Sequence, residues 1–393
     1  MNAVICGAGI AGLALAGRLA ELGWSVTLVD AAPASRDESY MIDLFGSGFE
    51  AADRMGLMPR LRERAYEFAA VRWTSGSGRT SAHLPYRVIA SLLDGRLLSL
   101  IRGDLERAVL EQLPNTVELR FNTAVTQIRT PVGRVEARLS SGEVLSADVL
   151  VGADGIHSRI RELTFGDGSA WLRFLGFHTA AFAIDAPDLA AELNNQLTIV
   201  SDPGRQLALY PLREGKVAAS FVRRAANSAP PISAVEALEA AYGDLGGQVT
   251  RVLAHARGLS SFIYEQVGQV VMAHWCRGRI ALLGDACQAA SFLPGQGASL
   301  SLAAAYVLGE ELSSGPDVKA ALVRYEHRVR PPLVHMRRVG RKAADWLVPA
   351  TPTGLVARNA VIRLASRPGF SWLLRPMAEA AREEILTPAS PTS

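Results

Sequence analysis

The stretch Ala3-Val4-Ile5-Cys6-Gly7-Ala8-Gly9-Ile10-Ala11-Gly12 decides how the amino-terminal part of this chain folds. Four apolar residues predict a short buried strand. Three glycines at the spacing G-x-G-x-x-G follow, and an apolar helical pattern runs over residues 10–22. Ser25-Val-Thr-Leu-Val-Asp30 predicts the next strand, so the segment reads as a βαβ unit. Gly7 permits a tight turn, Gly9 lets backbone amides approach a pyrophosphate, and Gly12 allows close packing of helix on strand. The helix amino terminus favours an anion. Asp30, 18 residues after Gly12, is placed to accept hydrogen bonds from a ribose diol. The alternative is a purely structural glycine turn, and the hexapeptide alone does not separate FAD from NAD.

Two later stretches repeat the device of a buried strand delivering a carboxylate beside glycine. The first is Val149-Leu-Val-Gly-Ala-Asp154-Gly155-Ile-His-Ser158-Arg159-Ile-Arg161. The second is Arg279-Ile-Ala-Leu-Leu-Gly284-Asp285-Ala286, continued by Pro294-Gly295-Gln296-Gly297-Ala298 at the start of a long helix of small residues.

In this order and spacing, the three sites resemble the group A flavoprotein monooxygenases, the para-hydroxybenzoate hydroxylase-like family, over about residues 1–345. The shorter tetracycline-modifying and antibiotic-tailoring members are the most similar subgroup. The resemblance implies FAD as cofactor and NADPH or NADH as a transient reductant. It implies oxygen transfer from a C4a-hydroperoxyflavin to a small aromatic, enolic or polyketide-like substrate. Carried over residue by residue, Gly7, Gly9, Ala11, Gly12 and Asp30 match the ADP-binding fingerprint. Arg102 matches an arginine that reaches the cofactor, and Val125 a position whose backbone meets adenine. Asp154 and Gly155 match the Asp-Gly motif linked to FAD and NADPH, and Asp285 the acid of the ribityl or pyrophosphate region. Gly295, Gln296, Gly297 and Ala298 match the loop beside the isoalloxazine. The sequence departs from the family at Glu38-Ser39, at Cys287-Gln288, at Phe292, at Pro294 and at Ser299.

The implied architecture is mixed α/β (α+β in its second part). A discontinuous Rossmann-like FAD-binding domain (1–75, 98–170 and 270–345) is interleaved with a β-sheet substrate domain (76–97 and 171–269), and a helical segment (346–393) closes the chain. The second sheet would cover the flavin and exclude water. Local signals predict helices over 47–56, 103–113, 233–242 and 247–257, and strands over 69–74, 79–84 and 97–101. A further helix over 317–347 is expected to break at Pro331-Pro332, and two helical pieces are expected over 354–385 with a frayed end after Leu386.

Because the cofactor carries the chemistry, the sequence need supply no nucleophile. His178, Tyr210 and Arg213, with His274, are substrate-side candidates by location, each with a structural role as the plainer reading. The seven histidines form no HxxxH or Cys/His pattern, so no metal is expected. With 41 basic and 38 acidic residues, and the basic ones scattered, no nucleic-acid partner is expected. Cys6, Cys276 and Cys287 form no CxxC pair and read as buried thiols. The apolar first 20 residues lack a basic leader and carry the glycine fingerprint instead of an export signal. No run is long and apolar enough to span a bilayer. The cysteines make a disulfide-stapled secreted fold improbable, so the cytoplasm is expected; the resemblance implies a small-molecule substrate with O2, and a monomer or homodimer is expected. A flavin oxidase or dehydrogenase that does not use NAD(P)H, and a non-catalytic flavin- or substrate-binding protein, are the competing functions.

Overall fold

The computed structural model describes residues 1–393 except 36–39, 167, 260–261, 290–295, 380–384 and 387–393. Its first sheet has six strands in the order Cys276–Arg277, Ile280–Leu282, Val149–Gly152, Asn2–Cys6, Ser25–Val29, Glu118–Arg120. All neighbours are parallel except the first pair. Central strands of such a sheet are covered on both faces, which explains their unbroken apolar runs. Ile5, Leu28 and Val149 to Val151 are sealed from solvent to within 1%. The helix Ile10–Glu21 packs on the helix Gln296–Ser313, whose Ala303, Ala304 and Ala305 are completely buried and permit the close approach.

The second sheet has seven strands in the order Ile263–Val270, Leu172–Asp185, Lys216–Arg224, Arg205–Pro211, Gln196–Asp202, Ala70–Thr74, Thr80–Pro85. Its period-two alternation sorts side chains onto two faces. Leu207 and Leu209 pack in the cluster that includes residues of the helices Ala234–Tyr242 and Gly247–Ala256. Ala208 and Tyr210 belong to a separate cluster with Met41, Phe68 and Trp73.

The structure departs from the sequence reading at three places. Residues 70–74 were assigned with 1–75 to the nucleotide domain, but Ala70–Thr74 pairs in parallel with Gln196–Val200 and antiparallel with the strand that follows it. Alternation identifies a strand but not its partner. The break at Pro331-Pro332 does not occur, and one helix runs from Val318 to Leu347 with both prolines inside. Each internal proline costs about 3 kcal/mol in a free helix. Here Val329 and Leu333 are fully buried on either side of the pair, and Arg330 and Arg337 donate to the carbonyls of Met272 and Val270. Third, Met41–Phe45 forms an antiparallel ribbon with Leu97–Ile101, a pairing absent from the local signals.

Candidate functional site

The carboxyl ends of the parallel strands open onto a cavity of about 590 Å³. Gly7, Gly9, Ala11, Asp30 and Val125 line it. Arg102, Asp154, Gly155, Asp285, Gly297 and Ala298 line the rest. Gly12 lies behind the lining, Gln296 is buried to 1% exposure outside it, and Gly295 lies outside the described residues. Segments far apart in the chain are thus brought to one groove, the usual ligand position in an open α/β sheet.

Local chemistry explains the groove. Gly9 caps the helix Ile10–Glu21 without any side-chain hydrogen bond, so the helix amino terminus meets the cavity with backbone amides. Asp30 accepts from Ala8 N at 2.6 Å and from Ala32 N at 2.8 Å, one bond to each carboxylate oxygen. A carboxylate has about four acceptor positions, so capacity for a ribose diol remains. Arg102, at the start of the helix Arg102–Glu111, is paired with Glu106 one turn on (3.1 Å). Glu106 is 3% exposed and also lines the cavity. This partner was legible in the sequence as an (i, i+4) acid on the same helix face.

Asp154 lines the cavity and has a second, structural task. Its Oδ1 accepts from Ser158 Oγ (2.5 Å) and its Oδ2 from Ile160 N (3.0 Å), so it also fastens the start of the helix Arg159–Phe165. Burial pushes its carboxyl above the ordinary range, partly offset by these donors. Arg161 then ties the Asp-Gly turn to the Gly-Asp turn, donating to Ile156 O (2.7 Å) and Ala286 O (2.8 Å).

The family departures have structural work. Gln288 accepts from Gly284 N (3.0 Å) and donates to Tyr325 Oη (2.6 Å), bracing the Gly284-Asp285 turn from behind. Ser299 Oγ accepts from Phe45 N (3.3 Å), fixing the Met41–Phe45 ribbon to the helix that begins at Gln296. Glu38, Ser39, Phe292 and Pro294 lie outside the described residues.

The substrate-side candidates are scattered. His178 is 4% exposed and bonds Asn227 O and Tyr264 Oη, while Tyr264 packs on the helix-covered cluster of the second sheet. Burial and Arg223 hold its imidazole below the usual range. Arg213 donates to Arg64 O and Ala65 O and stacks on Tyr66 at 4.4 Å. Tyr210 alone packs beside the Met41–Phe45 ribbon, with burial and Asp43 raising its phenol well above the usual range. His274 is exposed beside Glu326.

A largely parallel sheet whose strand ends open onto a dinucleotide-type groove, together with a second, seven-stranded mixed sheet, is the arrangement of a flavoprotein. The family described as FAD binding domain matches residues 1–334, and the chain belongs to it. It is an enzyme of the FAD-dependent monooxygenase class. A flavin-dependent monooxygenase from an unknown prokaryotic organism is 28% identical over 333 residues, covering 84% of this chain and 85% of the relative. The 3-hydroxybenzoate 6-hydroxylase 1 of Aquipseudomonas alcaligenes is 27% identical over 383 residues, covering 95% and 96%. Tetracycline destructase Tet(55) shares the fold with a TM-score of 0.81 at 24% identity, covering 97% of this chain and 98% of that one. Klebsiella pneumoniae HpxO, complexed with FAD and uric acid, gives 0.80 at 21% identity over 97% of both chains.

The groove fits FAD on this chain's own features: an uncapped helix end for the pyrophosphate, Asp30 for a ribose, and Arg102 in the same lining. Glu106→Gln removes the charge that holds Arg102. FAD affinity is expected to fall about tenfold, equivalent to ~1.4 kcal/mol. Fluorescence titration of apoprotein measures this without any substrate, and unchanged affinity would show that Glu106 leaves Arg102 indifferent.

Proposed function

We propose that this protein is an NAD(P)H-consuming FAD monooxygenase that hydroxylates or epoxidises a small aromatic, enolic or polyketide-like molecule, in secondary metabolism or antibiotic modification, in the cytoplasm. The observation that carries this reading is the groove itself, where the glycine turn, Asp30, Arg102, Asp154 and Asp285 converge, with an apolar and aromatic cluster (Trp73, Leu197, Tyr210) packed on Met41 of the ribbon whose Ile42 lines that groove. Bound FAD supplies hydride acceptance and activation of O2. The protein's part is orientation and exclusion of water. The helix opening at Gln296-Gly297 offers backbone amides to negative charge on the ring system. Gly7, Gly9 and Asp30 would hold the ADP half, and Arg102, Asp285, Gly297 and Ala298 the flavin half. The second sheet and the Met41–Phe45 ribbon enclose the organic substrate.

Anaerobic mixing of the FAD-loaded protein with NADPH or NADH tests the reading. Bleaching of the oxidised flavin band is expected, with faster NAD(P)H oxidation in air when a phenolic or polyketide probe is added. Reduction by the organic probe itself, without nicotinamide, would instead mark an oxidase or dehydrogenase.

A further inference from the structure

The helix Pro352–Ala365 is capped by Thr351, whose hydroxyl accepts from Gly354 N at 3.1 Å. Its inner face is Arg358, Ile362 and Ala365, all buried. Arg358 donates to Leu347 O at 2.7 Å and to Ser201 Oγ at 3.1 Å, and Asn359 Nδ2 donates to Ser81 Oγ at 3.0 Å. Ile362 and Ala365 enter the cluster of Trp73 and Tyr210. The helix is thus fixed to the second sheet along one side. Its other side does not have the polar surface of a solvated helix. At 3.6 residues per turn, Val356, Ala360 and Leu364 fall on one ridge opposite the buried face. All three are exposed, Val356 at 65% and Leu364 at 36%.

The apolar exposure continues past the helix. Arg367 N donates to Leu364 O, Phe370 N to Arg367 O and Leu373 N to Phe370 O, so the chain stays tightly turned after Ala365. In that turn Phe370 is 41% and Trp372 54% exposed, while Leu374 is buried beneath them. Arg363, Arg367 and Arg375 are exposed along the same stretch. The chain carries no acid between Asp345 and Glu379. Among the described residues none of these three arginines has an ion-pair partner. By contrast, Arg64 pairs with Glu111, Arg159 with Glu162 and Arg251 with Glu192. The stretch therefore combines exposed aromatic and aliphatic groups with uncompensated positive charge.

We propose that this ridge and turn bind the surface of a bilayer that contains anionic lipid, as a contact made from one side. Val356, Leu364, Phe370 and Trp372 enter the boundary between headgroups and acyl chains, where an indole is favoured, and the arginines meet the lipid phosphates. Charge complementarity and area select this occupant. A second copy meeting the ridge about a twofold axis would set the same arginines against one another, with no acid in the stretch to receive them. At 1.5 Å per residue the helix is about 21 Å long, so a ridge about 10 Å wide offers about 200 Å². A stable protein interface takes ~800 Å² from each partner. A bilayer needs no matching contour, and its binding adds apolar burial to about one favourable charge contact per arginine. No helix among the described residues is long and apolar enough to cross a membrane. The contact does not depend on the oxygenation reading above.

The test is co-sedimentation of the full-length, FAD-loaded protein with vesicles of phosphatidylcholine alone or with about 30% phosphatidylglycerol. The anionic vesicles are expected to bind at least about tenfold more tightly, and about 0.5 M NaCl to remove most of that gain. Arg363→Glu/Arg367→Glu is expected to weaken binding to the anionic vesicles at least about tenfold. Trp372→Phe is expected to bind as wild type but to lose part of the quenching of tryptophan fluorescence by brominated acyl chains. These residues are exposed and do not line the groove, so FAD content checks that each variant is folded. If the charge-reversed protein does not retain FAD, Arg363→Gln/Arg367→Gln decides, with an expected loss of at least about fivefold. Equal binding to the two vesicle types, binding to neither, unchanged affinity in the arginine variant, or unchanged quenching in Trp372→Phe overturns the proposal. Capture by soluble polyglutamate without binding to anionic vesicles overturns it in favour of an acidic protein. A dimer in sedimentation velocity that Trp372→Ala dissociates overturns it in favour of a second copy.

Discussion

Gly12→Val is expected to give a protein with less than about a tenth of the wild-type FAD content and a stability loss of about 3 kcal/mol or more. A Cβ at Gly12 would lie 1.9 Å from Gly7 O and 3.4 Å from the Ala153 side chain. The Gly7 turn cannot retreat. Gly7 has φ of +106°, and its own Cβ would meet Ala153 O at 2.3 Å. Its amide donates to Val29 O at 2.7 Å, and the neighbouring Ala153 N donates to Cys6 O at 2.7 Å. The helix Ile10–Glu21 must therefore lift from the sheet, carrying away the amides that face the pyrophosphate. Gly9 provides the contrast. The nearest atom to a Cβ there is Arg102 Nη2 at 3.9 Å, so Gly9→Ala should fold normally and lose FAD affinity alone. The flavin-to-protein absorbance ratio and the thermal midpoint of each variant separate the two outcomes. A G12V protein with full flavin occupancy would refute the packing argument.

That contrast shows why the groove was legible in the sequence. Gly7, Gly9, Gly12 and Asp30 act within one βαβ unit, where turn geometry and helix–strand packing depend on nearby residues. The strand-to-turn pattern at Asp154 and Asp285 is equally local. What lay beyond reach depends on long-range pairing. Asp43 meets Ser99 across 56 residues, and nothing in Met41-Ile-Asp-Leu-Phe45 names its partner. The strand Ala70–Thr74 was recognised but given to the wrong sheet for the same reason. His178 and Tyr210 lie on strands of one sheet, yet they enter different clusters, a matter of register that location in the chain does not reveal. Pro331-Pro332 shows tertiary packing overriding a strong local signal, because the buried residues around the pair outweigh the lost backbone bonds.

The carboxyl-terminal residues carry the second large effect. Ile385→Ala/Leu386→Ala is expected to destabilise the nucleotide domain by about 4 kcal/mol or more, reading each buried aliphatic truncation as ~2–5 kcal/mol and allowing for coupling between neighbours. The sequence predicted only two helical pieces over 354–385 and a frayed end after Leu386. In the structure Ile385 and Leu386 are 2% and 1% exposed and belong to the main core of the nucleotide domain. Ile385 N donates to Ser47 Oγ at 2.9 Å, on the helix Gly46–Arg54 that follows the flavin-side ribbon. Arg328 of the long helix donates to Leu386 O at 2.8 Å. These two residues therefore clip the helix Gly46–Arg54, which follows the groove-lining ribbon, to the helix whose Tyr325 braces the Gly284-Asp285 turn. A loss of this size is a large share of the ~5–15 kcal/mol by which folded domains typically exceed their unfolded chains. Heating should consequently release flavin fluorescence at a lower temperature in the double variant, with FAD affinity at low temperature near wild type because neither side chain lines the groove. An unchanged release temperature would show that the clip adds nothing to the core. A selective loss of affinity without a change in unfolding would mean that it acts on the cofactor directly.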